Sequence, residues 1–324
     1  MIALFISAII LFIAVNVIKF KRNNFIKKYN NNIKKEINQD FEIYVKHKTN
    51  IQNNNCYLSP ENANIRLIHL VITRFSMEFG PDFYFNKIIY TEEYLKNGIR
   101  VLKKYLIPSL ENQRCKNFTW IIKIGDKADM TRIKDLFDFN TSFDIKIVRK
   151  KDIKNYITKI SKGFDVLITT SIDYDDVIYY NAVNDVRKEI DLNKPLLLHG
   201  YNRGVYYFEA EKEYYDFIGI FDHVGVMTVF YSLIINLNKV NETVIISDLG
   251  DHTYIKKTIL KKYQSYGIKG LNYDPTIFDT SDIKFIYVRQ NYSVAFDFTI
   301  KIQRRERPIK FNLSKIYGNN ERNN

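Results

Sequence analysis

The sequence is poor in cysteine. Only Cys56 and Cys115 occur among 324 residues. Two cysteines make no disulfide framework, and without a CxxC pair or a Cys/His cluster they suggest no zinc site. Glycine is sparse where nucleotide motifs need it. The turn "TRFSMEF" (73–79) holds none, and no GxGxxG or Walker pattern appears, which excludes the usual dinucleotide and P-loop readings. Positive charge is missing from the body of the chain. Of the net +13, residues 19–50 carry +6 and residues 301–324 carry +5, leaving +2 for residues 51–300. A nucleic-acid enzyme carries its basic footprint on the folded body, so no nucleic-acid partner is expected. Basic ends suit a membrane surface or a solvated tail.

Charge of either sign is missing from "IALFISAIILFIAVNVI" (2–18), whose only strongly polar residues are Ser7 and Asn16. At about 1.5 Å per residue such a run just spans a hydrocarbon core. It lacks the basic start and cleavage site of a secretory signal. Residues 1–20 are therefore read as a transmembrane anchor giving a single-pass membrane protein, and residues 21–60, rich in Asn and Lys, as a stalk. The basic residues Lys19, Lys21, Arg22, Lys27 and Lys28 all follow the span, which places the large domain on the cytoplasmic side. Sequons at Asn117, Asn140, Asn241, Asn291 and Asn312 point instead towards a lumen. So Asn-rich a chain carries about three by chance.

What is present is apolar and aromatic. The hydrophobic fraction is 46%, with 24 Tyr and 23 Phe, which excludes a disordered chain. Apolar runs of strand length occur at 65–73, 118–125, 143–148 and 164–172. Between the first two, Tyr94, Leu95, Ile99, Leu102 and Leu106 share one helical face that ends near Pro108. Residues 178–190 again read as helix. Strand, helix, strand in repetition implies an α/β fold with a mainly parallel sheet flanked by helices. Trp120, the only Trp, is read as core.

In such sheets ligands bind beyond the carboxyl ends of the strands. "LITTSIDYDD" (167–176) delivers Asp173, Asp175 and Asp176 there, and Asp126 ends the second strand. Carboxylates this close raise one another's pKa unless a cation neutralises them. Their oxygens suit Mg²⁺ or Mn²⁺, bound through one or two carboxylates plus substrate phosphates. Taken alone, an acid-rich strand–helix turn is more often an N-cap with solvated charges.

Three segments in order, "HLVITRFSM" (69–77), "YLIPSLENQRCKNFTWIIKIGD" (105–126) and "LITTSIDYDD", resemble the putative rhamnosyltransferase family of GT-A glycosyltransferases. The resemblance covers about residues 65–300. It implies a Rossmann-like GT-A domain over 61–300; residues 301–324 are read from their charge as a basic tail. Residue by residue, it places Thr73 and Arg74 beside a nucleotide, Asp126 near its base or ribose, Asp173 at the ribose and metal-diphosphate, and Asp175 and Asp176 at a Mn or Mg cation. Ser171 stands where the family commonly has Arg. GT-A enzymes often take a late His as a further metal contact, and His252 is the candidate. An inverting enzyme needs a carboxylate base; Asp251 is the first choice and Asp222 the second. Arg289, in "YVRQNYS", would help neutralise the leaving diphosphate.

The expected function is that of a membrane-anchored, metal-dependent glycosyltransferase moving a sugar from a nucleotide-diphosphate donor to a glycan or other hydroxyl acceptor. The resemblance implies rhamnose and inversion. A module of the same fold that binds nucleotide sugar or glycan without catalysis stays open, as does a metal-dependent phosphotransferase or nuclease.

Overall fold

The computed structural model describes residues 56–59, 62–78, 84–201, 203–218, 230–240, 245–246, 276–279, 282–289 and 309–317. All fall in one compact unit, residues 50–324. Strands β1 (Leu67–Phe75), β2 (Thr119–Ile124), β3 (Asp144–Arg149) and β4 (Val166–Asp173) lie where the apolar runs predict them. With β6 (Leu196–Tyr201), β9 (Tyr231–Asn236) and β10 (Thr276–Asp279) they build a seven-stranded sheet in the order β10-β6-β9-β4-β1-β2-β3. Only β9 runs against its neighbours, pairing antiparallel with both β4 and β6.

Both faces of this sheet are covered, and side-chain alternation separates two cores. Val71, Phe75, Trp120, Ile122, Ile168 and Ile172 pack on one face. Leu70, Ile72, Ile121 and Leu167 pack on the other. Successive strand residues point to opposite faces, so a strand buried on both sides reads as an unbroken apolar run.

Helix α1 (Glu92–Lys104) covers the first core with Leu95, Ile99 and Leu102. Its N-cap Thr91 accepts a hydrogen bond from the Tyr94 amide, with Glu92 and Glu93 in the first turn. Gly98 lets it approach: a Cβ there would meet the Phe75 ring at 2.7 Å. The chain breaks at Tyr105, and a short α2 (Leu106–Glu111) carries Pro108 in its first turn, where the missing N–H costs nothing. The remaining crossovers are α3 (Met130–Leu136), α4 (Ile153–Ile160) and α5 (Ala182–Lys188).

A second, four-stranded sheet has the order β5-β11-β7-β8, from β5 (Val177–Ile178), β7 (Arg203–Phe208), β8 (Glu213–Ile218) and β11 (Phe285–Arg289). The helix expected over 178–190 therefore starts only at Ala182, because Val177 and Ile178 pair with β11.

Three expectations are corrected. Among the described residues no helix is long and apolar enough to cross a membrane. That overturns the single-pass membrane assignment; residues 2–18, from which the anchor was read, lie outside the described residues. Cys56 and Cys115 are joined as a disulfide across 59 positions, a pairing that cysteine count alone did not indicate. Residues 309–317 are not a solvated tail. Ile309 bridges to Tyr214, Phe311 packs on the Tyr214 ring, and fully buried Ile316, in α6 (Ser314–Tyr317), accepts the Tyr180 amide at 2.9 Å.

Candidate active site at the carboxyl edge of the sheet

The carboxyl ends of β1 and β4 bring Arg74 and Asp173 directly opposite each other in register. The Arg74 guanidinium donates to Asp173 Oδ1 from Nε at 3.1 Å and from Nη2 at 2.9 Å, and to Oδ2 from Nη2 at 3.0 Å. The carboxylate raises the Arg74 pKa further above its ordinary value, so the cation is permanent. Tyr231 of β9 and Tyr287 of β11 add to the same effect, which sets phenols from both sheets around the pair. This settles what neutralises the first of the three acids. The neighbouring strand supplies a guanidinium, although Ser171, on the same face of β4 as Asp173, does not.

The three acids have different surroundings. Asp173 is half-buried in its ion pair. Asp175 is half-buried in the turn, close enough to Tyr94 of α1 to raise that phenol's pKa, although burial is the larger cause. Tyr94 and Tyr174 are hydrogen-bonded there. Asp176 is fully buried; its Oδ1 accepts the Val288 amide at 3.2 Å and ties the turn to β11 of the second sheet. Its Oδ2 is buried without a hydrogen-bond partner.

Thr73 and Asp126 make contacts within the fold. Thr73 is fully buried, and its hydroxyl accepts the Trp120 indole N–H at 2.9 Å, so it faces the core and not a nucleotide. Trp120 is core, as read. Asp126 shapes the turn between β2 and α3: its Oδ1 accepts the Lys151 amide at 2.9 Å and its carbonyl accepts Arg149 Nη1. Gln113, from the family-like segment, is buried; its amide donates to the Ser109 and Tyr179 carbonyls and accepts the Val183 amide, locking α2 to β5 and α5. Asp222, Asp251 and His252 lie outside the described residues. The backbone of Arg289 closes β11 opposite Phe208.

The sequence reading missed the close packing at the carboxyl end of β2. Gly125 ends β2 with the Tyr90 hydroxyl and the Glu78 carboxylate stacked over it; a Cβ there would lie 1.9 Å from the first and 2.5 Å from the second. Burial and Glu78 together raise the Tyr90 pKa. Only the glycine itself was a signal for this approach. A separate cleft of about 550 Å³ lies along the outer edge of β3, lined by Lys134, Phe137, Lys146, Arg149 and Tyr156, and away from the acid turn.

A cation here would take one or two carboxylates of the acid turn and complete its shell with phosphate and water. Among the described residues no three His, Cys, Asp or Glu side chains converge on one point.

Residues 83–215 match the family model described as "Putative rhamnosyl transferase", so the resemblance read from the sequence is shown over that segment, fewer than half of the 324 residues. It includes Gln113, Trp120, Asp126 and the acid turn. No curated protein sequence matches the chain. Among solved structures, the inositol-1-phosphate CTP transferase of T. maritima is similar at 10% identity and TM-score 0.35, over 73% of this chain and 96% of that one. A putative nucleotide-diphospho-sugar transferase of Desulfovibrio desulfuricans G20 is similar at 10% identity and TM-score 0.36, over 72% and 85%. A putative glucose-1-phosphate thymidylyltransferase of Bacillus anthracis is similar at 11% identity and TM-score 0.36, over 68% and 88%. At such scores nothing in the site's chemistry rests on them.

Proposed function

We propose that the chain is a glycosyltransferase of GT-A type that moves a sugar from a nucleotide-diphosphate donor to a hydroxyl acceptor. One observation carries this reading: a permanent cation, Arg74, is held by Asp173 beside half-buried Asp175 at the carboxyl edge of a mainly parallel sheet. The family match over 83–215 supports it.

In this reading the diphosphate seats at Arg74, and Asp173 fixes the guanidinium plane before the ligand arrives. As the bond between the anomeric carbon and the phosphate oxygen breaks, negative charge grows on the departing diphosphate. Arg74 is already oriented towards it, so no reorganisation is needed at that moment. Tyr231 and Tyr287 stand near Arg74, and Tyr94 near Asp175; as donor binding excludes water, each charge interaction there strengthens. Asp173 and Asp175 would hold a Mg²⁺ or Mn²⁺ that supplies further neutralisation of the leaving phosphate. The acceptor's proton goes to a carboxylate, for which Asp251 and then Asp222 remain the proposed bases, with His252 and Arg289 at the diphosphate. Rhamnose and inversion are proposed on the family match alone.

The test is a screen of nucleotide sugars scored by released nucleoside diphosphate, with Mn²⁺, Mg²⁺ or chelator. A metal-dependent release with at least one donor is expected. Binding of donors without release under every condition would identify a non-catalytic module instead.

A further inference from the structure

We infer that the domain matures in an oxidising, glycosylating lumen and carries N-linked glycans at Asn117, Asn140 and Asn312, with Cys56 and Cys115 joined. The sequons alone carry little in so Asn-rich a chain, but their placement adds to them. Asn117, Asn140 and Asn312, the sequon asparagines among the described residues, are all exposed and lie outside helices and strands. Asparagines outside sequons include buried ones, Asn62, Asn97, Asn184 and Asn236 among them. A glycan needs an accessible asparagine in the folded state, and these three residues are exposed.

The second observation is independent of sequons. The disulfide closes a segment of 59 positions, and Cys115 is buried beneath it. Structural disulfides persist where thiols are kept oxidised and are rare where glutathione keeps them reduced. The bridge pins the chain ahead of β1 to the chain ahead of β2, and the Tyr57 amide donates to Asn184 Oδ1 at 2.9 Å in the same place.

Position ties the two together. Asn117 lies two residues before β2 and Asn140 four residues before β3, at the amino ends of parallel strands. Arg74, Asp173 and Asp175 lie at the carboxyl ends. Glycans at the first two positions therefore sit at the opposite edge of the sheet from the crevice and leave it open.

Each glycan forms when the Asn amide nitrogen bonds to the anomeric carbon of a lipid-diphosphate-linked oligosaccharide; the carbon–oxygen bond to the diphosphate breaks, lipid diphosphate leaves, and the amide releases one proton. The disulfide forms as the two thiols pass two electrons and two protons to a disulfide-bearing oxidant.

The full-length chain, made in a eukaryotic cell with an intact secretory pathway, is treated with thiol-blocking reagent and digested with peptide-N-glycosidase in heavy-oxygen water. The expected result is heavy-labelled Asp at 117, 140 and 312 and no blocked thiol at 56 or 115. Unmodified Asn at all three positions overturns the inference. So do two blocked thiols.

Discussion

Arg74→Met separates the site reading from a structural one. In the fold, the Arg74–Asp173 pair is a half-exposed ion pair, with the two side chains 51% and 36% exposed. Two unit charges about 4 Å apart attract by about 4 kcal/mol at an effective dielectric of 20. At this exposure, solvent screening and side-chain ordering reduce the net contribution to about 1 kcal/mol or less. Removing the cation leaves Asp173 solvated and not stranded, so the melting temperature should fall by a few degrees at most. Catalysis is affected far more. Losing one preoriented donor at a developing anion costs about 10²–10³ in turnover, or about 2.7–4 kcal/mol. Denaturant unfolding and donor turnover measured on one preparation give both numbers. A variant with near-normal turnover, or one destabilised by several kcal/mol, would refute the reasoning.

The other predictions concern neighbours of that pair and the buried polar groups. Asp175→Asn should cut Mn²⁺- or Mg²⁺-dependent turnover by orders of magnitude while metal-free melting stays level or rises, which calorimetry and a metal titration check. Thr73→Val should leave turnover per folded molecule unchanged but cost about 1–3 kcal/mol in denaturant unfolding, because it strands the buried Trp120 indole N–H. His69 is buried, with Nε2 2.8 Å from the Thr170 hydroxyl; burial, then Arg187, holds its pKa well below 6.5. The unfolded chain therefore binds a proton there that the native one refuses. Its contribution is complete above pH 6.5 and is lost as pH falls below it, by at most about 1.4 kcal/mol per pH unit. A His69→Gln variant should show a flatter melting-versus-pH curve between pH 6.5 and 5.

The sequence revealed most where a signal was local. The central strands β1, β2 and β4 were legible because burial on both faces makes most of their residues apolar or β-branched, and the edge strand β3 because Ile145, Ile147 and Val148 keep it β-branched. The position of Asp173 at the carboxyl end of β4 was legible because the acid directly follows a strand-length run, with Asp175 in the turn after it. Long-range partners were not legible. Asp176 looks like its neighbours in sequence, and its burial and its bond to the Val288 amide, 112 positions away, left no local signal. Thr73 precedes Arg74 and was assigned the same role, yet strand alternation turns it into the core against Trp120. The second sheet is assembled from short strands far apart in the chain, so Val177 and Ile178 read as the start of a helix. The docking of residues 309–317 depends on Tyr180 and Tyr214, which no local pattern links to a basic tail.

Amide hydrogen exchange with and without a panel of nucleoside diphosphates plus Mn²⁺ tests most directly whether the carboxyl edge holds the donor. The account predicts slowed exchange at residues 74–78, 124–127 and 173–176 with at least one nucleotide, and loss of that protection in Arg74→Met. Protection confined to residues 130–137 and 145–156, along the cleft at β3, with none at the acid turn, would contradict it.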